Sequence, residues 1–242
     1  SILGKYLGPF FRSKKIIMNN LKRVFPDIEI KEINILIKDM WSNYGRILSD
    51  YIFIKNLRIS QFDKYIEIEG TDILKKIKDQ NQPVIFVSGH FNNFELLAMS
   101  IEKSGIDLAA IYRPLNNIFL NKTMEKIRVN YICKNQIPKG LGGVKDMLNF
   151  FNKGTSLALM IDQRVSQGTK INFFKKPAYT TTIPAQFVKK FKCPVVPMHI
   201  ERINKYFFKI NVENPIYFNE ALSIDEITLH LNLWIEKKIK KN

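Results

Sequence analysis

The sequence predicts an α/β fold: a single domain whose mixed, mostly parallel sheet is flanked by helices, with a helical N-terminal layer in front of it. Three observations carry this. Short continuous apolar runs, the mark of buried strands, recur at Val84–Val87, Asp107–Tyr112 and Ser156–Ile161. Stretches with helical apolar spacing separate them, and such alternation builds a largely parallel sheet. The first 60 residues contain helical rhythm alone, and no linker or internal repeat interrupts the chain. The expected organisation is therefore one unit over 1–242, with a helical layer over 1–60 and an α/β core over 61–242.

Residues 1–12 are short, aromatic and Gly-containing, and read as the tail of an interfacial helix. Ser13 can cap a helix carrying Ile17, Leu21 and Val24, which ends at Phe25-Pro26 because the residue before proline avoids the helical region. Ile33, Leu36, Ile37, Met40, Trp41, Tyr44, Ile47 and Leu48 then keep a 3, 4, 3, 4 rhythm, read as a core-facing stripe. Tyr65–Gly70 alternates strictly, as a half-exposed strand does, and a short helix over Asp72–Lys78 leads to the central strand. Phe94, Leu97, Ala98 and Ile101 form a helix closed by Gly105.

The strand ending at Tyr112 is cut off by Arg113-Pro114. A long helix follows, with Phe119, Leu120, Met124, Ile127 and Tyr131 on one side. Lys139–Gly143 reads as a flexible loop ahead of a helix over Val144–Asn152. Residues 165–183 read as a polar, aromatic loop, and Pro184 opens a helix to Phe191. Val195–Ile200 and Tyr206–Val212 are further strands. Ser223-Ile224-Asp225-Glu226 is a capping box, and the last helix buries Ile227, Leu231, Trp234 and Ile235.

Hydrophobic residues at 45% and charged residues at 25% are ordinary for a folded protein, but a net charge of +16 is not. Such a surface suits a polyanion: nucleic acid, anionic lipid or an acidic carrier protein. The lysines are spread through nearly every segment, which argues against a nucleic-acid stripe. Cys133 and Cys193 lack metal spacing and suggest inert packing in a reducing compartment. No run reaches the ~18 apolar residues a membrane span needs. The histidines at 90, 199 and 230 are too scattered for zinc, and no P-loop, G-x-G-x-x-G or G-x-S-x-G motif is present. His199 reads as a core residue and His230 as a surface one.

Three buried strands end in reactive residues: Ser88-Gly89-His90, Tyr112-Arg113-Pro114 and Ile161-Asp162-Gln163-Arg164. In open α/β sheets ligands collect at that edge. His90 and Glu95 stand five apart, roughly 500° of helical rotation, so they meet only if His90 lies on the loop before the helix. Glu95 would then take the Nδ1 proton and leave Nε2 free as a general base. The plainer alternative is a strand-end histidine bonded to backbone, beside a solvated glutamate.

Gly89–Glu95, GHFNNFE, resembles the GHFGNWE block of the lipid A late acyltransferases, the lauroyl/myristoyl transferase family of Gram-negative bacteria. Ile111–Arg128 resembles that family's YRP block and the Arg-ended helix after it. Leu159–Arg164, Ile171–Phe187 and Cys193–Arg202 resemble its remaining blocks in order, and Asn20–Ile28 its N-terminal signature. The chain departs from the pattern at Asn92, where glycine is expected, and at Phe94, where tryptophan is. It also stops at Asn242, short of the family's aromatic-basic C-terminal block.

The resemblance implies a glycerolipid acyltransferase-like sandwich. The implied reaction moves an acyl chain from a thioester, on acyl carrier protein or coenzyme A, to a hydroxyl of a lipid A precursor. His90 and Glu95 would be catalytic. Asn93, Arg113, Arg128, Asp162, Gln163 and Arg164 would contact substrate, with no metal and no bound cofactor. The implied partners are acidic acyl carrier protein, the glycolipid and an anionic membrane surface, with no nucleic acid. The implied location is the cytoplasmic face of the inner membrane, peripheral or held by an N-terminal anchor absent from this chain. Lys175 and Lys176 beside Phe173-Phe174 would face the membrane or the acidic donor. An acyltransferase for another glycolipid or a lysophospholipid, and a non-enzymatic basic membrane or nucleic-acid binder, remain alternatives.

Overall fold

The computed structural model describes residues 2–10, 12–166, 168–204 and 206–241; Ser1, Phe11, Gln167, Lys205 and Asn242 lie outside the described residues. Ten α-helices and nine strands are described. The strands are β1 (Ile66–Glu69), β2 (Ile85–Ser88), β3 (Leu108–Tyr112), β4 (Asn135–Pro138), β5 (Ser156–Met160), β6 (Thr169–Phe173), β7 (Lys176–Thr180), β8 (Val195–Arg202) and β9 (Phe208–Val212). Seven form one sheet in the order β1-β9-β8-β2-β5-β3-β4, and β6 and β7 form a separate antiparallel hairpin.

Strands β8, β2, β5, β3 and β4 run parallel, and β9 pairs antiparallel with β8. The sheet is therefore mixed and mostly parallel, as expected. Its central strand β2 is buried along its whole length, which is why that stretch reads as a continuous apolar run. The parallel strands carry Ser88, Tyr112, Pro138, Met160 and Arg202 to one edge.

Two cores flank the sheet. On one face α6 (Glu95–Lys103) buries Leu96, Met99 and Ile101 against Phe86, Val196 and Met198. On the other, α9 (Ile183–Phe191) and α10 (Ile224–Lys241) pack Phe187, Val188, Ile227 and Leu231 against Val87, Leu159 and Val195. Helices α5 (Thr71–Gln80), α7 (Ile118–Tyr131) and α8 (Leu141–Asn152) complete the crossovers. Gly105, at φ +83°, closes α6 in the left-handed conformation that favours glycine. Ser223 and Glu226 exchange the reciprocal bonds of a capping box at the start of α10.

The N-terminal segment is helical through Tyr65. It comprises α1 (Ile2–Leu7), a 3-10 turn (Gly8–Phe10), α2 (Lys14–Val24), the long α3 (Ile30–Asn56), a π-helical turn (Leu57–Gln61) and α4 (Phe62–Tyr65). α1 lies so close to α3 that a Cβ on Gly4 would stand 2.2 Å from the Trp41 carbonyl oxygen. Among the described residues no helix is long and apolar enough to cross a membrane.

Four expectations require correction. The α3 stripe is only partly core: Ile33 and Ile37 are buried, whereas Leu36, Tyr44 and Leu48 are exposed. The leading end of α7 is likewise open, with Phe119 86% exposed. β4 was hidden in a short polar edge, Asn135-Gln136-Ile137-Pro138, and α8 already starts at Leu141, inside the expected glycine loop. Residues 169–180 form a hairpin instead of a loop. Its turn places Phe174 and Lys175 at φ +48° and +59°, positions that Asn-Gly would normally advertise. The Phe174 amide donates to Glu236 Oε1 at 2.7 Å, so these two side chains sit at a turn docked on α10.

Candidate active site

The site lies where β2 and β5 leave the sheet. Ser88 and Met160 are register partners, and His90 and Asp162 each follow two residues later. Equal offsets past paired residues bring the two side chains together. His90 Nδ1 stands 2.7 Å from Asp162 Oδ1, and the His90 amide donates to Asp162 Oδ2 at 2.8 Å. One carboxylate thus fixes both the backbone and the ring of His90. Gly89 makes room for it: a Cβ there would lie 2.9 Å from the Phe91 ring and 3.2 Å from Asp162 Oδ2.

Because Asp162 accepts, Nδ1 carries the proton and Nε2 keeps its lone pair. The Gln163 amide approaches Nε2 at 3.2 Å, marking the direction from which a donor group is received. The His90 side chain is 30% exposed at this end, while Phe94 backs its ring edge-on, 4.7 Å between centroids. A histidine with one nitrogen fixed by a carboxylate and the other met only by a neutral amide that a hydroxyl could displace has the form of a general base.

Glu95 does not take the part expected of it. It starts α6, is buried, and its Oε1 receives Arg128 Nε at 2.9 Å, Arg128 Nη2 at 2.6 Å and the Tyr51 hydroxyl. The carboxylate on His90 Nδ1 is therefore Asp162, and Glu95 anchors a buried ion pair behind the loop. Burial tends to lower the basicity of Arg128, but Glu95 outweighs it and holds the guanidinium above its ordinary pKa. Burial, with Glu95 beside it, pushes the Tyr51 phenol well above its usual range.

The other expected residues divide. Asn93 is buried at 1% exposure and turns away from His90, donating to Asp50 Oδ2 at 3.1 Å. Arg128 serves Glu95 as described. Arg164 stacks over the Tyr179 ring at 5.4 Å, on the hairpin. Arg113 follows β3, two strands from β2 and so roughly 10 Å along the sheet edge. It lies near Lys139, whose pKa is lowered by burial and by that guanidinium. Asp50 and Tyr51 lie beyond the apolar stripe of α3, and Arg202 ends β8, so no sequence motif singles out any of the three. Nothing in the chain's local pattern pairs α3 with a loop more than 40 residues on.

Cys133 and Cys193 are buried free thiols, each pushed up to about 12 by burial, so neither is a ready nucleophile. Among the described residues no group of His, Cys, Asp and Glu is arranged to hold a metal ion.

The chain is similar to the lipid A biosynthesis palmitoleoyltransferase of Escherichia coli (strain K12), 26% identical over 164 residues, covering 66% of this chain and 52% of that protein. It thus spans about half the length of that relative. The lipid A biosynthesis acyltransferase 2 of Shigella flexneri is 22% identical over 225 residues, covering 88% of this chain and 69% of that protein. Among solved structures, the 1-acyl-sn-glycerophosphate acyltransferase PlsC from Thermotoga maritima superposes with a TM-score of 0.46 at 14% identity, over 99% of this chain and 96% of that one. The model of the bacterial lipid A biosynthesis acyltransferase family matches residues 1–242, and the chain belongs to that family.

Proposed function

We propose that this protein is an acyltransferase that moves a fatty acyl chain from a thioester donor to a hydroxyl of a lipid A precursor. The observation that carries the proposal is the His90–Asp162 pair, a partly exposed imidazole fixed by a carboxylate at the C-terminal edge of a parallel sheet. Family membership supplies the substrate class.

A hydroxyl is a weak nucleophile at neutral pH and needs its proton removed as attack begins. His90 Nε2 accepts that proton while the hydroxyl oxygen adds to the thioester carbonyl. The tetrahedral adduct then collapses, the C–S bond breaks, and the departing sulfur takes the proton back from the imidazolium. Asp162 holds the ring and stabilises its transient charge. No covalent acyl-enzyme is required, in keeping with the buried, high-pKa cysteines.

The donor fits an acyl carrier protein thioester, since a chain of +16 attracts an acidic partner. An anionic membrane at the cytoplasmic face of the inner membrane is the setting, supported by exposed Leu48, Ile52 and Phe53 on α3 and Ile118, Phe119 and Leu120 on α7. Arg113 suits the glycolipid phosphates.

The experiment supplies purified protein with acyl carrier protein thioester and an under-acylated lipid A precursor, and follows product mass. One added acyl chain is expected, with a loss of about 10²- to 10⁴-fold in His90→Ala. Transfer only to a lysophospholipid, or an undiminished rate in His90→Ala, would contradict the proposal.

A further inference from the structure

We propose that Asp50 and Tyr51, consecutive residues of α3, are positioning residues that hold the segment behind His90 in its working conformation. The inference rests on His90 being the base, as proposed above.

The two side chains point about 100° apart on the helix and reach two places on the same loop. Asp50 Oδ2 accepts from Asn93 Nδ2 at 3.1 Å and from Arg202 Nη2 at 2.5 Å. The Tyr51 hydroxyl donates to Glu95 Oε1, the oxygen that Arg128 also holds. Asn93 and Glu95 bracket Phe94, and Phe94 packs edge-on against the His90 ring. Fixing 93 and 95 fixes 94, and 94 backs the imidazole that Asp162 holds from the other side.

The pins span 43 and 44 residues of sequence and join the N-terminal helical layer to the sheet edge. Arg202 extends the first pin to the end of β8, where its guanidinium also lies over the Phe208 ring at 4.3 Å. Arg128 extends the second to α7. Helix α3 thus does for the far side of the loop what β5 does for the near side. Were docking of α3 the only purpose, apolar contacts would suffice. Here instead two polar side chains close on buried partners, Asn93 and Glu95, at 1% and 7% exposure. Such bonds are directional, so they set geometry as well as adhesion.

The test measures kcat, KM and the folded fraction by circular dichroism for Tyr51→Phe, Asp50→Ala, Phe94→Leu, the double variant Tyr51→Phe/Phe94→Leu, and His90→Ala. Tyr51→Phe leaves the Glu95–Arg128 pair in place and keeps the test alive if Asp50→Ala fails to fold. Positioning predicts that Tyr51→Phe lowers kcat about tenfold while KM moves less than twofold and the protein stays folded. It also predicts that Tyr51→Phe costs little more once Phe94→Leu has removed the transmitting ring. A kcat at the wild-type value, a kcat loss that merely tracks the folded fraction, or a double variant whose losses multiply in full would each overturn the inference. Full activity in His90→Ala would instead overturn the base assignment on which it rests, so the two failures are distinguishable.

Discussion

Helices α6 and α3 both carry Leu, Ile and Met at helical spacing, yet the structure treats them oppositely. In α6 the run from Glu95 to Ile101 is buried, pressed between the sheet and the N-terminal layer. In α3 four residues are buried out of 27, and Leu48, Ile52 and Phe53 face outward. Period reports that an element is a helix and which side is apolar. It does not report what covers that side. The apolar face of α6 serves the core, whereas much of the apolar surface of α3 stays exposed.

Truncating one apolar side chain on each helix tests this difference. Leu96→Ala removes a fully buried side chain and is expected to cost about 2–5 kcal/mol in urea unfolding. Ile52→Ala, at a site 78% exposed, is expected to stay within about 0.5 kcal/mol. Similar costs at both positions would mean that the outer face of α3 is covered in solution.

A second difference concerns charge in the core. His199, on β8, is buried beside Glu201, Glu213, Asn211 and Lys238. Burial and then Lys238 lower its pKa below the ordinary value, outweighing the two carboxylates. The unfolded chain takes up a proton near pH ~6.5, while the folded protein does so only at lower pH. Unfolding therefore binds a proton as the pH drops through that interval, and stability present above ~6.5 is progressively lost. Denaturation midpoints followed from pH 8 to 5 should decline more steeply in the wild type than in His199→Gln; parallel curves would contradict the assignment.

The smallest expected effect is local. Ser223→Ala removes both the Oγ bond to the Glu226 amide and the one to its carboxylate, at a cost of about 1 kcal/mol. Thermal unfolding of the two proteins measures it.

The parallel sheet is readable because β2 is buried throughout and β3 and β5 are buried or half-buried, so apolar residues dominate all three. The convergence of His90 and Asp162 on one edge was readable from strand ends, but their pairing was not. It depends on Ser88 facing Met160 across neighbouring strands, and strand order is not written in either strand. Closeness in sequence suggests Glu95 as the partner of His90, but the fold separates them. The carboxylate belongs to the first residue of a buried helix, and the charge that satisfies it, Arg128, arrives from 33 residues away. The β6–β7 hairpin stayed hidden because Phe174 and Lys175 occupy left-handed turn positions without the usual residues. Asp50 and Tyr51 carry no local motif, and only the docking of α3 gives them a role.

Asp162, not Glu95, holds His90, the base of the proposed reaction. The most direct measurement is kcat for acyl transfer in Asp162→Asn beside Glu95→Gln, each corrected for folded fraction. Asp162→Asn should fold normally and lose at least about 100-fold in kcat, because the wrong tautomer of His90 is then favoured. Glu95→Gln should lose mainly stability, since it leaves the buried guanidinium of Arg128 without its counter-charge. Wild-type kcat in Asp162→Asn, with the hundredfold loss falling on well-folded Glu95→Gln, would assign the orienting role to Glu95 instead.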